Sequence, residues 1–342
     1  MPPQAQTPTP ELVDVLIVGG GPAGLTSAVS IARNIHTAIV FDSHSYRNER
    51  ATRFHMLPTW DGMDPTAFRD SARNNTLENY QTTFYEDVKI EEANKNGNIF
   101  ELTDENGKVW KGRSLVLATG IIDVPLDIPG FDECWGRSIT CIDLPTSSFH
   151  CLFCHGYEQR NSVSSGVLAF DDTTPIPFDL HASRNAAQLT KSVTIYTHGN
   201  TSRVSEIQVS LGSVAPDTID NRRITKFVLG PNKTGLTIHF KDGSSKYEAF
   251  LSYSPKSTLK SDFLAKQLGL KTTQEGDLMV KPPFGETSLR GCFAAGDNSS
   301  FSKTIPNAVN TGSNSAVGAA SYVQSRMYGQ GSLGEHLEMM LE

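Results

Sequence analysis

No stretch of this 342-residue chain holds the ~18 to 20 consecutive apolar residues that cross a bilayer, so a membrane-spanning helix is not expected. Cysteine is scarce. Its five copies, at 134, 141, 151, 154 and 292, are an odd and scattered set that excludes the disulfide framework of a small secreted domain. A basic surplus is missing too: 30 Lys and Arg stand against 37 Asp and Glu, a net charge of -7. That balance argues against nucleic acid or an acidic lipid surface as partner, because no excess of cations exists to neutralise phosphates. The opening Met1–Pro10 lacks both the basic start and the apolar stretch of a secretory signal. It reads as a Pro-rich tail, and a cytoplasmic location is expected. The Asn-x-Ser/Thr matches at Asn74, Asn200, Asn232 and Asn298 then carry no weight as glycosylation sites.

What is present begins with Leu12–Val18 (LVDVLIV), an apolar, β-branched run of the kind that forms a buried parallel strand. Gly19-Gly-Gly-Pro-Ala-Gly24 follows at once, then a small-residue helical stretch, Leu25–Asn34, and a second strand, Thr37–Asp42. Gly19, Gly21 and Gly24 fill the three glycine places of a dinucleotide fingerprint, with Pro22 and Ala23 opening the helix. The glycines serve a tight turn, close approach of backbone to pyrophosphate, and close helix–strand packing. Asp42 lies 18 residues beyond Gly24, where a carboxylate accepts ribose hydroxyls. The pyrophosphate belongs on the helix N-terminus.

Two later segments complete the pattern. Ser114–Gly120 is an apolar strand ending in Ala118-Thr119-Gly120, and Gly291–Asp297 is another, ending in Gly296-Asp297. An acidic residue at a strand end, just before a helix start, can hold a flavin ribityl hydroxyl. Their order behind the glycine fingerprint resembles the flavoprotein disulfide reductases with two dinucleotide-binding domains, especially the small thioredoxin reductase type. That resemblance implies an α/β fold with two Rossmann-type domains and FAD held at Gly19–Gly24, Asp42, Ala118–Gly120 and Gly296–Asp297.

His150-Cys-Leu-Phe-Cys-His-Gly156 places two thiols three positions apart, close enough to close a small disulfide ring. Zinc ligation and plain structural thiols are the rival readings. No second Cys-x-x-Cys and no His-x3-His pair supplies the remaining ligands, so no metal is expected. In the thioredoxin reductase family the resemblance makes Cys154 the flavin-proximal thiolate and Cys151 the interchange thiol. The family commonly has an acidic residue after the second cysteine; here His155 stands there. An imidazole with a reference pKa of ~6.5 suits it to take protons from incoming thiols, and His150 flanks the pair on the other side.

A reductase of this type needs NADPH and a second glycine turn after the cysteines. The strands Ser164–Phe170 and Ser192–Thr197 are predicted, but Asp171-Asp-Thr-Thr-Pro-Ile-Pro-Phe178 lies between, and no glycine occurs from Val167 to His198. Side chains there hold the backbone away from a pyrophosphate, and Asp171 and Asp172 put like charge where phosphates dock. Only a lone Arg203 follows the second strand. Electrons are then expected from a dithiol substrate. The pattern closely resembles the fungal thioredoxin-reductase-like dithiol oxidases that close disulfides in epidithiodiketopiperazine toxins such as gliotoxin. The resemblance runs from Leu12 to Val323 and rests on VDVLIVGGGPAGL, DVPLDIPGFDECW at 123–135, CLFCHGYE at 151–158 and KPPFGETS at 281–288. It implies O2 as electron acceptor, H2O2 as product, and a homodimer. Arg137–His150, which contains Cys141, stands where these relatives have only a few residues, a net insertion of roughly nine, long enough for a functional loop.

The expected organisation is a discontinuous FAD domain, 1–134 and 250–342, and a Cys-x-x-Cys-bearing degenerate NADPH-type domain, 135–249. Strands at Ile224–Leu229, Leu236–Phe240 and Lys246–Leu251, with an Asp242-Gly243 turn, close the latter. Asn96-Gly97 and Asn106-Gly107 mark hairpins in the former, and Pro306–Arg326 reads as a small-residue helix. Three functions remain open: an FAD dithiol oxidase, an NADPH-dependent thioredoxin-type reductase, and a non-catalytic flavin sensor or dithiol-sequestering protein.

Overall fold

The computed structural model describes residues 9–141, 152, 156–170, 174–211 and 218–341. His150, Cys151, Cys154 and His155 lie outside the described residues, as do Asp171 and Asp172. The chain forms two compact units, one from Met1–Arg53, Leu57–Ile122 and Ser257–Glu342, the other from Phe54–Met56 and Asp123–Lys256.

In the first unit, β1 (Leu12–Val18) lies between β2 (Ala38–Phe41) and the strand Val109–Leu117, all parallel. Thr83–Glu86 and Cys292–Ala294 extend this parallel centre on either side. With the hairpin Ile90–Asn96 and Ile99–Asp104, and the short strands Val280–Lys281 and Glu286–Thr287, the sheet has nine strands among the described residues. The unbroken apolar run of β1 is explained by burial on both faces. Val15 and Ile17 enter one core with Ile31 and Ala319, while Leu16 and Val18 enter the other with Phe100 and Trp110.

The helix α1 (Pro22–Arg33) packs on the long helix Ile305–Tyr328. Small residues let the two close: a Cβ on Gly312 would lie 2.3 Å from the Ala23 carbonyl oxygen, and Ser27 Oγ donates to the Gly312 carbonyl at 2.9 Å. The small-residue tail of the sequence is thus the partner of the glycine-fingerprint helix.

The second unit is built on a parallel sheet, five-stranded among the described residues, in the order Thr218–Asp220, Thr190–Tyr196, Ser162–Leu168, Leu251–Tyr253, Ile139–Cys141. The helix Ile176–Ala187 lies in sequence between Ser162–Leu168, the central strand, and its neighbour Thr190–Tyr196. An antiparallel meander, Ile224–Leu229, Leu236–Phe240 and Ser245–Glu248, is attached, with its second turn at Gly243 (φ 86°). The single strand expected at Lys246–Leu251 is instead broken. Ser245–Glu248 ends the meander, and Leu251–Tyr253 pairs with the parallel sheet beside Gly166 and Ile139. The break follows from burial on two sides, since Phe250 packs with Val167 and Ile195 while Leu251 packs with Phe227 and Phe240. Both units are therefore α/β and of the dinucleotide-binding type, as the sequence pattern implies. Among the described residues no helix is long and apolar enough to cross a membrane.

Candidate functional site

At the end of β1 the chain turns through Gly19–Gly21 into α1. Gly19 has φ 120°, and a Cβ there would lie 2.2 Å from the Ala118 carbonyl oxygen. A Cβ on Gly24 would lie 1.8 Å from the Gly19 carbonyl oxygen, a contact only hydrogen permits. Gly21 is the opposite case: among the described residues nothing lies within 4 Å of a Cβ built on it. It is the N-cap of α1, without a side-chain cap, and Pro22 and Ala23 follow as the first helical residues. The helix start faces open space with its backbone N–H groups and the positive end of its dipole. An anion can dock there with no side chain in between.

Asp42, just beyond β2, is 8% exposed. Its Oδ2 lies 2.0 Å from where a Cβ on Gly20 would stand, so the carboxylate is tucked against the glycine turn. Its Oδ1 accepts the His44 N–H at 2.9 Å, and its Oδ2 accepts the Tyr46 hydroxyl at 2.6 Å. Burial and the bond to Asp42 raise the Tyr46 phenol above its ordinary value, so it stays a donor. The Arg69 guanidinium covers the Tyr46 ring, 3.8 Å from its centroid. The next residue, Arg47, donates from Nη1 to Asp297 Oδ2 at 3.1 Å.

The other two strand ends close the site. The Ala118 N–H donates to the Val18 carbonyl at 2.8 Å, and Gly120 takes φ 70°. The Gly296 N–H donates to Thr311 Oγ1 at 2.9 Å, and a Cβ on Gly296 would lie 3.1 Å from Ala23 Cβ. Asn298, fully buried, donates from Nδ2 to the Leu117 carbonyl at 2.9 Å and to Thr119 Oγ1 at 3.3 Å, which stitches the two strand ends together. Lys303 Nζ donates to the Asp297 carbonyl at 2.9 Å and to the Asp277 carboxylate at 2.8 Å.

Gly19, Gly21, Pro22, Ala23, Gly24, Asp42, Ala118, Thr119, Gly120, Gly296 and Asp297 thus gather around one helix start. Tyr46, Arg47 and Asn298, none assigned to the site from the sequence, join them, as does Gly20, which the Gly19–Gly24 stretch only spanned. Gly20 and Asn298 adjoin residues that were assigned, and that adjacency is the only signal they carry.

For the cysteine pair, the described neighbours are Leu152, which is buried, and Gly156, whose N–H donates to the Leu152 carbonyl at 2.7 Å. His55 Nε2 lies 3.7 Å from Glu158 Oε1 in the same unit. Cys134 and Cys292 are free, buried thiols. Burial pushes them up to about 11 and about 12, so neither offers a thiolate near neutral pH.

Known proteins settle the family. Residues 13–144 match the pyridine nucleotide-disulphide oxidoreductase family. The thioredoxin reductase tcpT of Claviceps purpurea is 41% identical over 327 residues, spanning 95% of this chain and 98% of that one. The chain belongs to the fungal thioredoxin reductase-like family. The thioredoxin reductase sirT of Leptosphaeria maculans is 37% identical, over 90% of this thioredoxin reductase-like chain and 94% of its own length. The solved thioredoxin reductase of Streptococcus pyogenes MGAS5005 shares the fold of two Rossmann-like domains, with a TM-score of 0.76 at 19% identity over 92% of this chain and 99% of that one. This thioredoxin reductase-like protein is accordingly an oxidoreductase, and a flavin is the cofactor its family implies.

Proposed function

We propose that this protein is an FAD-dependent dithiol oxidase. It closes an intramolecular disulfide in a small dithiol metabolite of the epidithiodiketopiperazine kind, with electrons passing through Cys151 and Cys154 to FAD and on to O2. One observation carries the reading. The second unit keeps the strand–helix–strand of a dinucleotide-binding fold in Ser162–Leu168, Ile176–Ala187 and Thr190–Tyr196, yet no glycine stands anywhere from Val167 to His198, and the helix starts on Pro175. Without the glycine turn, NADPH lacks its docking place, and the dithiol is left as the electron donor.

The residues of the first unit fit FAD. Gly21 leaves room for a pyrophosphate at the start of α1, and Gly19 and Gly24 permit the turn that puts it there. Asp42 suits the adenosine ribose, Gly296 and Asp297 the ribityl end, and Ala118–Gly120 line the way between. The FAD domain, expected at 1–134 with 250–342, is narrowed to the first unit, because Asp123–Lys256 belongs to the second, and the second unit is taken as the cysteine-bearing domain, in a homodimer. Bound FAD supplies a two-electron acceptor that reduces O2 to H2O2.

The chain's own residues do the rest. A substrate thiolate attacks Cys151 Sγ of the Cys151–Cys154 disulfide, and Cys154 leaves as thiolate. The substrate's second thiol, held beside the first, attacks the mixed disulfide and expels Cys151, an effectively unimolecular step. His155 and His150 take the protons of the incoming thiols. Cys151 and Cys154 then give up the electron pair and re-form their disulfide. The balance is one dithiol and one O2 to one disulfide and one H2O2.

Anaerobic mixing tests this. A small dithiol should bleach the yellow flavin while NADPH leaves it coloured, and admitting air should yield H2O2 in step with disulfide. Bleaching by micromolar NADPH returns the protein to the reductases, and bleaching by neither reagent makes it a sensor.

A further inference from the structure

In a dinucleotide-binding unit, two places in the second unit would receive a pyridine nucleotide. The first turn of the helix after the first strand takes the pyrophosphate, and basic residues after the second strand take a 2′-phosphate. Here the two places are bonded to each other. Arg203, in the helix Thr201–Leu211 that follows the strand Thr190–Tyr196, is only 1% exposed. Its Nη2 donates to the Thr174 carbonyl at 2.5 Å and to the Asp179 carboxylate. Thr174 immediately precedes the N-cap Pro175 of the helix Ile176–Ala187, and Asp179, 4% exposed, lies in its first turn. Among the described residues that helix start has no side-chain cap.

The electrostatics follow directly. A helix N-terminus favours negative charge, and Asp179 supplies it from within the chain. A guanidinium matches a carboxylate as it would a phosphate, so Asp179 occupies Arg203 Nη2, while Nη1 lies 3.7 Å from the exposed Glu206 carboxylate. His198, at the end of the second strand, is also turned inward. Its Nδ1 accepts the Ile224 N–H at 3.1 Å and its ring packs on Phe170, with centroids 4.7 Å apart. Burial, with Arg223 nearby, lowers the His198 pKa, so it adds no cation near neutral pH.

We infer that the Asp179–Arg203 pair is a built-in ligand that fills the anion position of the second unit and excludes pyridine nucleotides, making these two residues determinants of electron-donor specificity. The inference rests on the oxidase reading above and deepens it, because it gives the exclusion a cause beyond missing glycines.

The test uses the FAD-loaded protein, so that the first unit is already occupied, and follows thermal unfolding with and without millimolar inorganic pyrophosphate. Wild type should not respond. Asp179→Ala should unfold roughly 10 °C lower, since a buried guanidinium keeps only the exposed Glu206 as a carboxylate partner. Pyrophosphate should restore part of that loss by taking the carboxylate's place on Arg203. The double variant Asp179→Leu, Arg203→Met should fold without responding to pyrophosphate. Should Asp179→Ala not fold, Asp179→Asn serves in its place. A stability gain for wild type equal to that of the single variant overturns the inference, as does a single variant indifferent to pyrophosphate. Anaerobic bleaching of wild type by NADPH overturns the oxidase reading itself. A wild type that resists NADPH yet is stabilised by pyrophosphate overturns the filled site alone.

Discussion

Arg47 and Asp297 stand 250 positions apart in sequence and 3.1 Å apart in space. Tyr46, the neighbour of Arg47, holds Asp42 at 2.6 Å, so two successive residues of one loop fix the two carboxylates of the candidate cofactor site. Arg47→Met and Asp297→Asn are each expected to weaken FAD binding roughly tenfold, the scale of one charge-assisted hydrogen bond. The double variant should be little worse than either single one, because both remove the same pair. Flavin fluorescence on titration into apoprotein reads this. Unchanged affinity in both single variants would show that the pair plays no part in holding the cofactor.

The glycine turn separates folding from binding. Gly24→Ala pushes a methyl to 1.8 Å from the Gly19 carbonyl oxygen, and Gly20→Ala pushes one to 2.0 Å from the Asp42 carboxylate. Both should destabilise by about 1–3 kcal/mol or more. Gly21→Ala meets nothing within 4 Å among the described residues and should unfold within about 1 kcal/mol of wild type, yet purify colourless. Denaturant melts paired with flavin-to-protein absorbance ratios check the contrast; a yellow Gly21→Ala protein argues against the assigned pyrophosphate position.

The thiols should divide sharply. Cys151→Ser and Cys154→Ser are each expected to abolish dithiol-dependent O2 consumption, at least 100-fold below wild type, since either change removes the exchanging disulfide. Cys134 and Cys292, with pKa pushed up to about 11 and about 12 by burial, should resist iodoacetamide at pH 8 until the protein is unfolded. Peptide mapping after labelling gives the answer, and rapid native alkylation of either residue contradicts their burial.

Asp14 predicts an acid limb of stability. Burial alone would raise its pKa, but hydrogen bonds from His36 and Thr37 outweigh that and hold the carboxyl at about 2. Arg113 adds an ion pair at 3.1 Å. A depressed folded pKa stabilises fully above the unfolded value near 3.8, and the contribution fades as pH falls toward 2. Asp14→Asn should therefore cost about 2 kcal/mol at pH 7 and much less near pH 2. Urea midpoints at the two pH values measure it; a constant difference would mean the carboxylate charge is not what stabilises.

Much of this was legible in the chain itself. Gly19, Gly21, Gly24 and Asp42 are readable because a nucleotide turn imposes fixed short spacings on one βαβ unit. The strand ends at Gly120 and Asp297 are readable because burial on both faces leaves apolar runs that stop abruptly. Arg47 is not readable, since its partner is far along the chain and an ion pair leaves no periodic trace. Gly20 looks like a spare glycine until Asp42 is seen folded against it. The break at Ala249–Phe250 escapes a pattern reading because consecutive apolar residues serve two different cores, and only their packing shows which is which.

The first unit is assembled from both ends of the chain, with the second inserted between Ile122 and Ser257. A ribosome therefore delivers the glycine turn before the middle unit, and Asp297 and the long helix that packs on α1 only after it. The middle unit can fold while the flanking unit still waits for its last strand. A nascent chain stopped before Asp297 would carry the fingerprint without the other strand end of the candidate cofactor site.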